Sequence, residues 1–99
     1  MGAYVIGMSE IHDTEGMNLY RQGVPATIAQ YGGRLAVRGS VDEVLEGHLK
    51  PNSVVVFEFD SLEDARRWYE SPEYRALRDI RLRTSKSSLV AVEGGAPLA

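Results

Sequence analysis

The sequence predicts an α+β fold with elements in the order strand, helix, strand, strand, helix, strand, and three observations carry that reading. Near the middle of the chain "VVVFEF" (54 to 59) is almost wholly apolar and rich in strand formers. Apolar residues before and after it recur at steps of three and four, the spacing of one helix face. Short strand-like runs, "AYVIGMS" and "SLVAVEG", stand near the two ends.

Taken in order, "AYVIGMS" (3 to 9) reads as the first strand. From Asp13 or Thr14, either able to cap a helix, Met17, Tyr20, Val24, Ile28 and Tyr31 line one face. "YGG" closes the helix, since Gly32 or Gly33 can take the left-handed C-terminal conformation. Within it Pro25 lacks an amide hydrogen and crowds the carbonyl of Arg21, so a kink or break is expected near Arg21 to Val24. A bend wrapping the helix over a twisted sheet and an opening that faces a ligand are both consistent with it. "RLAVRG" and "SVDEVLEG" suggest a second strand, bent or bulged around Gly39 and Ser40, and "HLKPNS" a turn.

After the central strand, Ser61 with Asp64 forms a capping box, and Leu62, Ala65, Trp68 and Tyr69 make a buried stripe. "SPEY" restarts the pattern: Ser71 caps, Pro72 suits the first helical position, and Tyr74, Leu77 and Ile80 or Arg81 point inward. "SLVAVEG" is the last strand. The whole is the split βαβ arrangement of a ferredoxin-like domain, with a four-stranded antiparallel sheet and its helices on one face. Residues 1–94 are expected to form this single domain and 95–99 a flexible tail.

Such a sheet leaves one side bare. Alternation sends Val55, Phe57 and Phe59 to the helices and Val54, Val56 and Glu58 to the other face. The first and last strands look apolar on both sides, and a contiguous apolar patch on a small domain implies a partner. The economical one is a second copy, a homodimer with its two sheets face to face. Glu58 then needs a cation. With Leu35 and Val37 turned to the helices, Arg34, Ala36 and Arg38 share the side of Glu58, and a contact of Glu58 with Arg38 or Arg34 is expected. It serves either as an ion pair fixing the register or as part of a pocket between sheet and partner holding a small anionic ligand.

Other classes are disfavoured. A net charge of −3 and pI near 5.3 argue against nucleic-acid or anionic-membrane partners. "SVVVFEF" resembles the RNP1 pattern of RNA-binding domains only superficially, since Val54 and Val56 occupy the positions where stacking aromatics belong. Without cysteine there is no disulfide, thiolate nucleophile or Cys-ligated zinc, which suits a cytoplasmic protein. His12 and His48 lack metal-binding spacing, and no nucleotide-binding or GxSxG motif is present, so neither metal nor cofactor is expected. No export signal or membrane-spanning run is visible, and Ile6 stands where a myristoylation site needs Ser or Thr.

The stretches "LYRQGVPATIAQYGGRLAVRG", "VVVFEFDSLEDARRWYESPEY" and "VAVEG" resemble the bacterial family known as domain of unknown function 1330, from about Ala3 to Gly94. Matching positions include Tyr20, Pro25, Tyr31, Gly33, Arg38, Glu58, Trp68, Ser71, Tyr74 and Arg81. Departures include Thr14, Ser40 and Leu49, which bear on loop shape near a pocket mouth. The resemblance implies a ferredoxin-like fold associating as a dimeric α/β barrel, and no particular reaction. Cofactor-independent monooxygenases and isomerases of the wider superfamily suggest an enzyme by analogy of fold alone. In that reading Arg34, Arg38 and Glu58 orient an anion and move a proton, with Tyr20 or Tyr31 as hydroxyl donor. A non-catalytic ligand-binding or structural homodimer is the alternative.

Overall fold

Phe57 and Phe59 become the centre of the core because period-two alternation turns them, with Val55, toward the helices. Phe59 is fully buried and Phe57 nearly so. The computed structural model describes residues 2–94. Its elements are β1 (Ala3–Ile11), α1 (Thr14–Gln30), β2 (Arg34–Ser40), β3 (Ser53–Phe59), α2 (Leu62–Glu70), α3 (Pro72–Thr84) and β4 (Ser85–Glu93). The strands form one antiparallel sheet in the order β2-β3-β1-β4. This is the ferredoxin-like α+β fold, with the second helical region divided into two helices at Ser71. The tail expected at 95–99 lies outside the described residues.

Capping chemistry sets the helix starts. The Asp13 carboxylate accepts from the Gly16 amide at 3.0 Å, Ser61 Oγ from the Asp64 amide at 3.1 Å, and Ser71 Oγ from the Tyr74 amide at 3.2 Å. Ser71 Oγ also donates to the Trp68 carbonyl at 2.6 Å, so one side chain both ends α2 and starts α3. Gly32, at φ +78°, supplies the left-handed residue that turns the chain out of α1.

Trp68 is the hub of the core. It has no exposed surface, and it packs against the rings of Phe57, Phe59 and Tyr74 at centroid distances of 5.6, 5.6 and 4.1 Å. Its indole N–H donates to Thr27 Oγ1 at 3.0 Å, which satisfies the one polar group this side chain brings inside.

Four expectations are corrected. α1 runs continuously through Pro25, so of the kink or break expected there the break does not occur. Residues 41–52 form a loop instead of prolonging the second strand. Tyr69 stays partly exposed while Ala65 and Trp68 carry the buried stripe. Most consequentially, the irregularity in β2 falls between Leu35 and Val37, not at Gly39 and Ser40: Leu35 pairs with Phe57 and Val37 with Val56, leaving Ala36 as the extra residue. Since the side-chain period is two, that one residue exchanges the faces of everything after it. Val37, expected toward the helices, lies on the bare face, and Arg38, expected beside Glu58, lies opposite Val55 on the helix face.

Candidate functional site

The helices cover β1, β3 and β4 more closely than the edge strand β2, every residue of which is exposed. Between α1 and the uncovered end of the sheet lies a cavity of about 230 Å³, larger than the ~150 Å³ that accommodates benzene in an engineered apolar cavity. Gly7 keeps its floor low: a methyl group there would come within 2.9 Å of Val55 and 3.1 Å of Leu89. Pro25 lies in the wall, and by lacking an N–H it leaves the Arg21 carbonyl without its usual helical donor.

The walls are mostly aliphatic and aromatic, yet Arg21, Arg38 and Arg81 also line the cavity, as does Arg34, whose guanidinium is paired away from it with Glu58; no Asp, Glu, His or Lys is among the lining residues. Arg81 is only 6% exposed. Its Nε donates to Tyr74 Oη at 3.2 Å and its Nη1 to Ser87 Oγ, but among the described residues it pairs with no carboxylate. A buried guanidinium balanced only by neutral hydroxyls is costly unless an anion completes it. Arg21 reaches across from α1 to donate to Ser53 Oγ at 3.2 Å. Tyr20 Oη lies 2.9 Å from Tyr74 Oη. Burial, and next the neighbouring Tyr74, push the pKa of Tyr20 well above the ordinary tyrosine range, so it keeps its proton.

The residues singled out in the sequence are divided by this geometry. Tyr20, Arg34 and Arg38 line the cavity; Glu58 and Tyr31 do not. Glu58 lies on the opposite face, where its Oε1 accepts from Arg34 Nε at 2.9 Å, with Asp60 3.8 Å from the same guanidinium. The expected Glu58–arginine contact is thus made by Arg34. The Tyr31 hydroxyl donates to Glu73 at 3.2 Å, tying α1 to α3. This cavity opens on the helix side of the sheet, a different place from the pocket expected between sheet and partner. Arg21, Ser9 and Ser53 were not foreseen. Arg81 carried a signal, a charged residue one and two turns along the inward stripe from Leu77 and Tyr74. Among the described residues no group of three or more His, Cys, Asp or Glu could hold a metal, and no helix is long and apolar enough to cross a membrane.

Fold and site together define a ferredoxin-like α+β domain with an arginine-lined cavity between its first helix and its sheet. The chain belongs to the DUF1330 family, described as a domain of unknown function, whose model matches residues 2–95. Among solved structures it is similar to a protein of unknown function from Rhodopseudomonas palustris, with 15% identity, a TM-score of 0.80, and 97% of this chain and 84% of that one covered. It is also similar to a dimeric protein of unknown function with a ferredoxin-like fold from Bacteroides fragilis, at 18% identity and TM-score 0.62, covering 94% and 96% of the two chains. A third is SnoaB, a cofactor-independent oxygenase from Streptomyces nogalater, at 15% identity and TM-score 0.68, covering 98% and 96%. At these identities the likeness concerns the fold. No curated protein matches the chain.

Proposed function

We propose that this protein binds a small molecule with an apolar body and an anionic group in the cavity beneath α1. The observation that carries the reading is the lining itself: a mostly apolar enclosure with three arginines, Arg21, Arg38 and Arg81, that pair with no carboxylate among the described residues, Arg81 being buried. An anion supplies the missing charge, and the aliphatic walls take the rest of the ligand. Calorimetric titration with benzoate and with benzamide, alike in shape and different in charge, tests it. Benzoate is expected to bind at least about tenfold more tightly, as a charge-assisted pairing with arginine requires; equal binding, or none by either, contradicts the proposal.

Turnover without a cofactor is the second reading, favoured by the Tyr20 hydroxyl, which is held in the wall by Tyr74 and kept protonated by burial. Such a group can donate to an oxyanion developing on a substrate. Since the lining lacks a base that titrates near neutrality, the proton to be removed would have to leave a substrate already acidified by the arginines. Chemical change in a compound co-purifying with the protein distinguishes this from plain binding.

The bare face belongs to a second copy. Tyr4, Ile6 and Met8 of β1 lie in register with Glu58, Val56 and Val54 of β3, and Tyr4 and Ile6 with Val92 and Val90 of β4, giving a continuous and largely aliphatic surface. The carboxylate at one end of it, Glu58, is already paired with Arg34. The chain exposes 6656 Å² for a mass of 10.9 kDa, where the size scaling of folded monomers gives roughly 5,600 Å². The surplus, of the order of 1,000 Å², is comparable to the ~800 Å² each partner contributes to a standard interface. The similar Bacteroides fragilis protein is described as dimeric.

A further inference from the structure

On the helix face of the sheet, Ser40 pairs with Ser53, Ser53 with Ser9, and Ser9 with Ser87, so one rung crosses all four strands in serine. Neighbouring strands lie ~4.8 Å apart, which makes the rung a nearly straight row of hydroxyls. Two of its members accept from guanidinium groups: Arg21 donates to Ser53 from α1, and Arg81 donates to Ser87 from α3. Ser9 stands between them in the cavity floor, and among the described residues its hydroxyl makes no hydrogen bond.

The hydrogen-bond inventory at this rung is one-sided. Guanidinium groups only donate, and a serine oxygen that accepts from an arginine still has its own proton to give. Among the described residues no acceptor is provided for the protons of Ser9, Ser53 and Ser87, or for the N–H groups of Arg81 Nη2. Arg81, nine-tenths buried, is held in place by Tyr74 and Ser87. The adjoining rung meets the cavity through Val55, Gly7 and Leu89, with Arg38 only at its exposed edge on β2, and the next through Leu35 and Phe57.

We infer that the serine rung is the seat of the ligand's carboxylate, with Ser9 beneath it, Arg21 and Arg81 at its two sides, and the apolar body directed along α1 toward Ile28 and Phe57. A carboxylate is acceptor-only, planar and singly charged, which complements a flat row of hydroxyls between two guanidiniums. Arg38, at the exposed edge, then acts at the mouth and contributes less to holding the anion. This inference rests on the proposed ligand class and adds the position and orientation of the bound group.

The test is calorimetric titration of benzoate into the wild type and into Ser9→Ala, Arg21→Met, Arg38→Met and Arg83→Met. Arg83 is exposed on α3 and serves as a control for net charge. Circular dichroism of each variant confirms that it is folded. Affinity is expected to fall by about tenfold for Ser9→Ala and more for Arg21→Met, in keeping with hydrogen bonds to a charged group. A fall of about threefold is expected for Arg38→Met, and less than about twofold for Arg83→Met. If Arg38→Met abolishes binding while Ser9→Ala and Arg21→Met leave it within about twofold, the cavity still takes anions but the rung is not their seat. If wild type binds no benzoate, both the ligand class and the seat are overturned. Backbone amide shifts on titration provide the independent readout: changes centred on Ser9, Ser53 and Ser87 support the rung, and changes confined to Arg34 and Arg38 overturn it.

Discussion

The two faces of the sheet are finished in opposite ways. On the face that the chain's own helices cover, where apolar side chains would be expected throughout, polar groups accumulate: a serine rung with Ser9 and Ser53 in a cavity wall, Tyr20, and the guanidiniums of Arg21, Arg38 and Arg81. On the face left uncovered, where polar groups would be expected, the middle of the surface is aliphatic, with Tyr4 and the Glu58–Arg34 pair toward one end and Ser88, Glu10 and Lys86 toward the other. A buried polar site and an exposed apolar one are both unfavourable in an isolated chain. Each is explained by a different missing neighbour, an anion on one side and a second copy on the other.

The largest expected effect is in the shared core between them. Trp68→Ala removes the fully buried hub and is expected to cost ~3–5 kcal/mol of unfolding free energy, measured by denaturant titration. A loss below ~1 kcal/mol would mean that the helix layer is not what holds the sheet. Next comes Ile6→Glu, in the middle of the bare face opposite Val56 and Val90. Placing an unpaired carboxylate in a sheet-to-sheet interface costs several kcal/mol, so light scattering should show the mass falling to that of one chain at ~10 µM. The helical circular dichroism of this variant should persist, because the substituted side chain points away from the helices.

A smaller effect separates packing from hydrogen bonding on the covered face. Thr27→Val leaves the Trp68 indole N–H without its acceptor at nearly constant volume, and ~1–3 kcal/mol of destabilisation is expected. The Tyr20 hydroxyl provides a pH signature. Its pKa is raised in the folded state, so its contribution to stability is present below the ordinary tyrosine value near 10 and is lost as pH rises above it. The slope is at most ~1.4 kcal/mol per pH unit. Tyr20→Phe should flatten the alkaline limb of the stability profile by that component, and an unchanged limb would contradict the burial argument. Arg34→Ala is expected to do least, below ~1 kcal/mol, because Arg34 is more than half exposed in its pair with Glu58.

Much of the fold was legible because the signals were local. Ser61 and Ser71 announce helix starts through groups three residues away, and the alternation of Val55, Phe57 and Phe59 assigns their face whatever the neighbouring strands do. The bulge at Ala36 was not legible. "RLAVRG" alternates without a glycine or proline at the point of irregularity, and the extra residue exists only in relation to β3. Arg38 was assigned to the wrong face for that reason, and Arg34, which precedes the bulge, to the right one. The serine rung was hidden more deeply. Ser9, Ser53 and Ser87 are unremarkable in their own strands and become a site only when two registers bring them into line.

Non-denaturing mass spectrometry with benzoate examines both faces at once. The expected species has twice the 10.9 kDa chain mass and carries one benzoate per protomer. A single chain, or a dimer that takes up no more benzoate than benzamide, would contradict the account.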